Sequence, residues 1–396
     1  MKTNIAVFFG CRSVEHEVSI ISAVQAMRSI KRDKYDVTPV YVTKQGEMYT
    51  GESLFEIEGY RDIDTLLKKC EEVTFARRAG EVYMNPQKST LFSKNKQTKI
   101  DLAFPVVHGT NCEDGTIQGY FEYLGLPYIG CDITSSAVGM DKAVFKDVLK
   151  SAGLPVLDYI CLRSRTYALE KEKITAEITE KIGFPLIVKP VNLGSSIGIS
   201  KVNAKEELDE AIALAASFTD RILVERAVTD LREINCSVLG DVDSCEASVC
   251  EEPLMNDDIL SYEDKYMGGS KQQSKGMASL GRKLPADLPA EKSEEIRRLS
   301  IEIFKAMGAS GVIRIDFLLD TESGAVYANE ANTIPGSLSF YLWEGAGLPY
   351  GELIDRLVET AYRRKRVREN LTFTIDTNIL SGVSFGSKGA KSSKMS

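Results

Sequence analysis

The sequence has few of the residues that build zinc proteins or disulfide-rich proteins. Only two histidines and one tryptophan occur among its 396 residues, and its eight cysteines are scattered. No two of these cysteines form a CxxC pair, so neither a structural zinc site nor a disulfide framework is expected. We interpret the cysteines as small buried apolar residues in a reducing compartment.

Long apolar runs are also missing. No stretch reaches the roughly 18–20 residues needed to span a bilayer, and the N-terminus leads into a short strand-like run, not the apolar core of a signal peptide. A formal net charge of −8 argues against nucleic acid or a membrane as a partner. The sequence therefore predicts a cytoplasmic protein of two or three domains that acts on small molecules.

The N-terminal part has the pattern of a βαβ unit. A buried strand is predicted at residues 5–9, apolar residues recur at helical spacing over 18–30, and a second strand follows at 37–42. Such a unit implies a parallel sheet with a ligand near the carboxyl end of its first strand. A further strand and helix complete a first α/β domain over residues 1–130, while residues 45–98 give no clear pattern.

The middle of the chain alternates strands with single helices. Helices are predicted at residues 140–152 and 205–216, on the spacing of their apolar residues. This alternation indicates a small α+β domain over residues 131–228. Its strands are predicted at residues 184–190, 198–202 and 221–227.

A second α+β unit is predicted over residues 229–364, with a polar lid at about 257–289. It contains helices at 291–307 and 350–364, and a β-hairpin lies between them. The tail over residues 365–396 is rich in Gly, Ser and Lys, and we expect its last dozen or so residues to be disordered.

The predicted hairpin covers residues 312–332 and places polar side chains on one face. With its turn centred on Ser323, Asp316 falls opposite Glu330 and Arg314 falls opposite Asn332. Two carboxylates and an amide oxygen make a hard-oxygen site suited to Mg²⁺. A solvated polar face with an incidental ion pair is an equally good interpretation of this hairpin alone.

Three further features precede the hairpin in the sequence. Lys189 follows the apolar run at residues 186–188, and Glu225 follows another apolar run at residues 222–224. The loop over residues 190–198 is rich in Gly and Ser. A buried lysine needs a partner such as a nucleotide phosphate, and Gly-Ser loops can cradle anions. Each feature alone has an ordinary alternative. Lys189 and Glu225 could be strand-end residues whose charged groups reach solvent, and the loop could be an ordinary hairpin turn.

In this order, these features resemble the ATP-grasp fold, and within it the D-alanine–D-alanine ligase family. Residues 108–119, with His108-Gly109 and Glu113-Asp114-Gly115, resemble that family's first signature, and residues 308–336 resemble its second. Residues 14–19 and 262–266 resemble two further family segments. The likeness covers about residues 4–364, and it implies an N-terminal parallel-sheet domain followed by two α+β subdomains that close on ATP.

The resemblance also implies the nucleotide and metal ligands. Lys142, Lys189 and Ser196 would contact the ATP phosphates, and Asp316, Glu330 and Asn332 would hold two Mg²⁺ ions, with Mn²⁺ as an alternative. The adenosine end would be bound by Glu225 and Arg226, and Glu233 completes the nucleotide-binding set.

For the amino acids, the resemblance implies that Glu15 takes the ammonium group of the first D-amino acid. Ser195 and Tyr266 would connect Glu15 to the lid, and Lys265 would cap the transferred phosphoryl group. Arg314 and the amide of Gly336 would stabilise the oxyanion. The implied reaction activates a D-amino acid as an acyl phosphate, which the amine of a second D-amino acid attacks during peptidoglycan precursor synthesis. A homodimer joined through the first domain is also implied.

Three positions depart from the family pattern. Cys11 and Cys112 stand where glycines are usual, and Tyr341 stands where a serine usually helps to bind the second substrate. Together with a long basic stretch over residues 267–288, Tyr341 suggests an acceptor larger or more polar than D-alanine, such as D-serine. The alternative is that these differences compensate each other around the same dipeptide.

Two other functions stay open on sequence alone. One is an ATP-grasp ligase for a different acid and amine, and the other is a non-catalytic nucleotide-binding protein. A pure binding protein has no need of Arg314, Lys265 and the metal residues together, so the catalytic interpretation is preferred.

Overall fold

The computed structural model describes residues 2–87, 97–194, 197–254 and 281–382. The first of its three β-sheets has seven strands: β1 (Thr3–Gly10), β2 (Tyr35–Val42), β3 (Met48–Thr50), β4 (Glu71–Arg78), β5 (Glu81–Pro86), β6 (Thr98–Ile100) and β7 (Leu102–Pro105). They lie in the order β6-β5-β4-β3-β2-β1-β7. Only β1 pairs in parallel with its neighbours, β2 and β7.

The predicted βαβ opening is confirmed. β1 is buried on both of its faces, as a central strand of a sheet with parallel neighbours should be. Four helices belong to this part of the chain or follow it: α1 (His16–Ser29), α2 (Ile63–Leu67), α3 (Thr116–Leu124) and α4 (Ile133–Met140). α1 starts shortly after the carboxyl end of β1, so its first residues lie at the edge of the sheet where a ligand was expected.

The second sheet is antiparallel and has four strands: β8 (Tyr159–Arg163), β9 (Leu186–Pro190), β10 (Ser200–Val202) and β11 (Arg221–Arg226). Their order is β10-β9-β11-β8. The associated helices are α5 (Lys142–Ser151), α6 (Ser164–Leu169), α7 (Lys171–Lys181) and α8 (Leu208–Ala216). α8 buries Leu208, Ile212 and Ala215 in one core with the strands, as its helical spacing predicts.

The third sheet is also antiparallel and has five strands: β12 (Leu231–Gly240), β13 (Cys245–Pro253), β14 (Arg282–Lys283), β15 (Gly311–Asp320) and β16 (Val326–Asn332). Their order is β14-β13-β12-β15-β16, so the predicted hairpin forms the β15–β16 side of the sheet. Helix α9 (Ala290–Ala306) packs its buried Ile296 and Ile303 into the core of this sheet.

The last two α-helices of the described residues, α10 (Phe340–Gly345) and α11 (Tyr350–Glu369), bring the chain back to the first sheet. Leu353, Ile354 and Leu357 of α11 are buried in the same core as β1 and α1. Asp355 accepts hydrogen bonds from Lys31 Nζ at 3.0 Å and Lys34 Nζ at 2.7 Å. The helix therefore fastens the C-terminal part of the chain to the N-terminal part.

The structure defines the region that the sequence left open and corrects one helix boundary. Residues 45–98, which gave no clear pattern, contain β3 to β5, α2 and short 3₁₀ turns at Glu52–Phe55 and Ile57–Arg61. The strands are short and their polar faces weaken the alternation that identifies a strand. The terminal helix does not end at residue 364 but continues to Glu369.

The end of the tail and most of the predicted lid lie outside the described residues. Among the described helices, none has both the length and the apolar character that crossing a membrane requires.

Candidate active site

The β15–β16 hairpin has the register predicted from the sequence. Asp316 lies opposite Glu330, and Arg314 lies opposite Asn332. The pairing shifts between Asp316 and Phe317, because Phe317 lies opposite Ala328 and leaves Asn329 as one extra residue on β16. Such a bulge re-aims side chains locally, and Asn329 is one that sequence reasoning missed.

Each carboxylate of the hairpin lies beside a cationic side chain. Arg314 donates from Nε and Nη2 to the two oxygens of Asp316, at 2.6 and 2.7 Å, and Asn332 Nδ2 donates to Asp316 at 3.1 Å. Lys142 Nζ lies 2.9 Å from Glu330. Burial alone would lower the pKa of Arg314, but Asp316 raises it well above its usual value, so Arg314 is always charged.

Lys142 owes its position to the junction of α4 and α5. Asp141 caps α5 by accepting hydrogen bonds from the backbone N–H groups of Ala143 and Val144, at 3.1 and 3.0 Å. Lys142 then begins the helix, its backbone N–H donates to Val191, and its Nζ donates to the Leu193 carbonyl at 2.8 Å. Lys142 is 5% exposed.

Glu225 is the centre of a buried ionic network. It pairs with Lys189 on β9, which lies two positions from it along the β9–β11 ladder, and with Lys146 of α5 at 2.9 Å. Burial alone would raise the pKa of Glu225, but Lys146 and Lys189 lower it to about 2. Lys189 also donates to Asn329 Oδ1 at 2.9 Å, which joins the second sheet to the hairpin of the third.

The charges of this network favour an anionic ligand. Three buried lysines, Lys142, Lys146 and Lys189, lie with Glu225 and Glu330 between the two sheets. Burial lowers the pKa of Lys189, and Glu225 opposes that shift. Buried cations in excess of buried anions are costly unless a negative ligand joins them. A polyphosphate supplies that charge.

Two cavities meet at the hairpin. One of about 180 Å³ lies between the second and third sheets and is lined by Lys189, Glu225 and Arg226 together with apolar residues of β9 and β15. The other, of about 110 Å³, is lined by residues that follow strands β1 and β7, by residues of the third sheet and by Gly336. Their shared wall consists of Lys142, Leu193, Glu233, Asp316 and Glu330. A phosphate group in the first cavity can therefore reach a carboxylate in the second.

Glu15 lies at the start of α1 and faces the second cavity between two glycines. It is 6% exposed. Gly109 has φ +80°, and a side chain there would come within 2.7 Å of Glu15 Oε2; one at Gly194 would come within 3.3 Å. Glycine at both positions therefore lets the backbone approach this carboxylate.

Glu113 connects the loop after β7 to the loop after β16. Its two oxygens accept hydrogen bonds from the backbone N–H groups of Gly109, at 2.8 Å, and of Ile334, at 3.0 Å. Burial and the nearby Glu15 raise the pKa of Glu113 to about 8, against the opposing effect of these two N–H groups. The carboxyl group is therefore largely protonated at neutral pH.

Tyr341 is part of a polar group at the far end of the second cavity. Its hydroxyl donates to Glu251 at 2.9 Å, and the guanidinium of Arg282 lies 3.9 Å from the centre of its ring. Glu251 also pairs with Arg282 at 2.7 Å and accepts from Asn235 at 3.1 Å. Burial, followed by the charge of Glu251, raises the pKa of Tyr341 to about 12.

The two cysteines that replace glycines are neighbours. Cys11 and Cys112 are both buried, and Asn111 donates to the Arg12 carbonyl at 2.9 Å, which links their loops. A hydrogen bond with Cys11, added to burial, raises the pKa of the Cys112 thiol. The two cysteines that depart from the family pattern therefore contact each other.

The structure brings most of the predicted site residues together. Arg226, Glu233 and Gly336 line the cavities, as do the lysines and hairpin residues. Ser195, Ser196, Lys265 and Tyr266 lie outside the described residues. Within the described ranges, no three His, Cys, Asp or Glu residues are grouped so as to hold a metal ion. The predicted metal ligands are instead two carboxylates and an amide.

Sequence reasoning missed three site residues: Lys146, Glu251 and Asn329. It included Arg282 only as part of the basic stretch over residues 267–288. For Lys146 a signal was present, since it follows Lys142 by one helical turn and precedes the buried Leu149. Glu251 and Arg282 belong to a pair of strands whose partners are distant in sequence. Asn329 depends on a bulge that alternation cannot reveal.

Comparison with known proteins assigns both halves of the chain to one protein family. The model named D-ala D-ala ligase N-terminus matches residues 4–131, and the model named D-ala D-ala ligase C-terminus matches residues 148–359. The chain is 38% identical over 379 residues to the D-alanine–D-alanine ligase of Thermosipho melanesiensis, which covers 95% of this chain and 98% of that protein. The corresponding ligase of a Thermoanaerobacter species is 41% identical over 377 residues, covering 91% and 96%.

Solved structures of ligases of this family also superpose on the chain. The D-alanine–D-alanine ligase from Coxiella burnetii superposes with a TM-score of 0.76 at 30% identity, covering 93% of this chain and 96% of that one. The VanG D-Ala:D-Ser ligase from Enterococcus faecalis superposes with a TM-score of 0.75 at 32% identity, covering 91% and 100%.

Proposed function

Because the chain belongs to the D-alanine–D-alanine ligase family and has the ATP-grasp fold, it is an ATP-dependent, ADP-forming ligase of D-amino acids, and we propose that its two adjoining cavities are the nucleotide site and the amino-acid site. The main support for this proposal is that the two cavities share a wall, because a phosphoryl group must pass between the two sites. The likenesses favour neither a ligase of another acid nor a non-catalytic binding protein. The product is a D-Ala-D-X dipeptide for peptidoglycan precursors.

In the proposed nucleotide site, the phosphates of ATP contact Lys142, Lys189 and Ser196. Glu225, Arg226 and Glu233 bind the adenosine end. Lys146 pairs with one carboxylate oxygen of Glu225 and Lys189 with the other, so Lys146 acts on the nucleotide through Glu225. The excess of buried positive charge supports this placement.

We propose that Asp316, Glu330 and Asn332 hold two Mg²⁺ ions, or Mn²⁺ in their place. The donors fit such ions, because Asp316 and Glu330 are directly opposed on paired strands and all three residues offer hard oxygen atoms. When bound, a divalent cation neutralises the charge that develops during phosphoryl transfer.

The side chains position two successive steps. A carboxylate oxygen of the first D-amino acid, whose ammonium group is held by Glu15, attacks the γ-phosphorus of ATP, and ADP leaves. The amine of the second D-amino acid then attacks the acyl carbon, loses a proton, and phosphate leaves. Arg314 and the Gly336 amide stabilise the oxyanion of that second step, in which charge builds on the carbonyl oxygen. As the family resemblance implies, we propose that Ser195 and Tyr266 connect Glu15 to the lid and that Lys265 caps the transferred phosphoryl group. A lid that excludes water would protect the acyl phosphate from hydrolysis.

The experiment that tests this assignment is the substitution Glu15→Gln, followed by separate binding measurements for ATP and D-alanine. We expect ATP binding to stay within about twofold and D-alanine binding to fall by about tenfold or more, since a charged hydrogen bond is lost. Unchanged turnover with D-alanine would refute the role of Glu15.

We also propose that the acceptor is a D-amino acid more polar than D-alanine, such as D-serine. The polar group of Tyr341, Glu251, Arg282 and Asn235 supports this, because a hydroxyl-bearing side chain can join such a network whereas a methyl group cannot. Phosphate release should be measured with D-alanine as donor and D-alanine, D-serine or D-lactate as acceptor. A clear optimum with D-alanine in both positions would contradict the proposal.

Finally, we propose a cytoplasmic homodimer joined through the first domain, with domains at residues 1–130, 131–228 and 229–364. The three sheets, each of which lies within one of these ranges, support the division. Light scattering on the purified protein tests the dimer, and a mass near 43.7 kDa would contradict it.

A further inference from the structure

The loop after β16 has an unusual backbone. Ser337, Leu338 and Ser339 have φ values of 50°, 55° and 50°, in the left-handed region that residues with a Cβ atom disfavour. Such a conformation persists only where the surroundings of the residue hold it in place. Gly336, the proposed oxyanion donor, immediately precedes this turn, so whatever holds the turn also aims the Gly336 amide.

His108 contacts the beginning of the segment over residues 334–337, which contains Gly336. Its ring is 3% exposed, with Nδ1 2.8 Å from the carbonyl oxygen of Ile334 and Nε2 2.9 Å from Ser22 Oγ on α1. His108 therefore connects the loop after β7 both to α1 and to the loop after β16.

Ser22 holds the end of the same segment. The backbone N–H of Ser337 donates to Ser22 Oγ at 3.0 Å, and the hydroxyl of Ser337 donates to Gln25 one turn further along α1 at 2.7 Å. His108 and Ser22 thus fasten both ends of a four-residue span, residues 334–337, with Gly336 inside it.

The hydrogen bonds determine the protonation of His108. The Ile334 carbonyl only accepts, so Nδ1 carries a proton. Ser22 Oγ accepts from Ser337 N–H, and its second side-chain partner among the described residues is His108 Nε2. The arrangement that also pairs the Ser22 proton is the one in which Ser22 donates to an unprotonated Nε2, and in it His108 is the neutral Nδ1–H tautomer.

The surroundings of His108 agree with a neutral ring. Burial lowers its pKa, Glu15 and the Ile334 carbonyl raise it, and the guanidinium of Arg314 lowers it again, with a net lowering. The imidazole therefore stays uncharged at neutral pH.

We propose that His108 and Ser22 are positioning residues for the condensation step, forming a relay from Ser337 N–H through Ser22 and His108 to the Ile334 carbonyl that holds the Gly336 amide toward the oxyanion. The inference rests on the proposed role of Gly336. His108 lines the second cavity, whereas Ser22 lines neither of the two cavities. Because the relay acts through the Gly336 amide, it serves the attack of the amine and not the formation of the acyl phosphate.

The two half-reactions can be measured separately in the full-length protein. Formation of the acyl phosphate is followed by D-alanine-dependent positional exchange of ¹⁸O between the bridging and non-bridging positions of the ATP phosphates. Condensation is followed by dipeptide release. For Ser22→Ala we expect dipeptide formation to fall by about ten- to a hundredfold, the effect of a displaced catalytic group, with exchange within about twofold. Ser22→Thr keeps the hydroxyl and should restore most of the condensation rate.

Ser19→Ala is the matched control. Ser19 is also buried on α1 and makes two hydrogen bonds, from Gly10 N–H at 2.9 Å and to the Val106 carbonyl at 2.7 Å, but none to the loop after β16. It should slow both half-reactions alike or neither. If Ser22→Ala also slows both alike, or leaves condensation unchanged, the positioning role is overturned. Absence of exchange in the wild type would instead refute the proposed acyl-phosphate chemistry.

The tautomer provides an independent readout. The chain has only two histidines, His16 and His108, so ¹⁵N-histidine spectra contain two rings, and a His16→Gln variant assigns them. We expect His108 to show a protonated Nδ1 and an unprotonated Nε2 at neutral pH. A charged ring, or a proton on Nε2, would overturn the relay.

Discussion

At the scale of single residues, Glu225 illustrates how a buried charge is maintained between two lysines. Lys189 was expected as a partner for a nucleotide because it ends an apolar run, whereas Lys146 was not expected at all. An i, i+4 pair of lysines on a helix usually faces solvent, and only the structure shows that Lys146 turns toward Glu225. The chemical type of a buried lysine is thus predictable, but its partner is not.

Replacing Lys146 with methionine should weaken the nucleotide site. Glu225 would keep Lys189 but lose its second cation, so we expect the KM for ATP to rise by about tenfold and the free energy of unfolding to fall by about 2 kcal/mol. Lys150→Met, at an exposed position one turn further along α5, is the control and should change stability by less than about 0.5 kcal/mol. Equal effects of the two substitutions, by urea unfolding and steady-state kinetics, would contradict the role of Lys146.

Glu113 predicts a pH dependence of stability. Its pKa is near 8 in the folded chain and near 4.5 when unfolded, so between these values the folded state binds more protons and stability falls as pH rises. The side chain of the Glu113→Gln variant does not titrate. As the pH rises, the free energy of unfolding of this variant should therefore increase relative to that of the wild type, by up to about 1.4 kcal/mol per pH unit. Urea unfolding at several pH values between 5 and 8 measures this. A constant difference would show that Glu113 is ionised.

At the scale of secondary-structure elements, the hairpin was predictable and the bulge within it was not. Alternation and turn chemistry were enough to place Asp316 opposite Glu330. The extra residue, Asn329, leaves no trace in the alternation, because a bulge is determined by what the strand must contact. The antiparallel strands of residues 71–86 were missed for a related reason, since short, half-exposed strands carry little apolar pattern.

Asn329→Ala tests what the bulge contributes. The substitution removes the hydrogen bond to Lys189 Nζ, an interaction with a charged group that contributes about 1.5–3 kcal/mol. We expect the KM for ATP to rise by about tenfold, while the KM for D-alanine stays within about twofold. If the two KM values change together, Asn329 does not act through the nucleotide site.

At the scale of the whole molecule, helix α11 joins parts of the chain that are far apart in sequence. Asp355 on this helix pairs with Lys31 and Lys34 after α1. The amphipathic pattern predicts the helix and its buried face, but not the surface on which that face packs. The same limit applies to the two cavities, whose common wall depends on how the three sheets are arranged.

Asp355→Ala should destabilise the whole chain. Asp355 is 9% exposed and its carboxylate has two lysine partners, so we expect a loss of about 1–3 kcal/mol in unfolding free energy. Glu302→Ala, which removes the exposed i, i+4 pair with Arg298, should cost less than about 0.5 kcal/mol. Comparable urea-unfolding midpoints for the two variants would mean that α11 is not held by this contact.

We propose that the chain links two D-amino acids at the wall shared by its two cavities, with one ATP consumed for each peptide bond. The most direct measurement is the stoichiometry of dipeptide, ADP and phosphate, determined by mass spectrometry and a phosphate assay with D-alanine alone and with D-alanine plus D-serine. We predict one dipeptide and one ADP for each phosphate, and no phosphate release without a D-amino acid. Phosphate release without dipeptide, or release that does not depend on D-amino acids, would contradict the account.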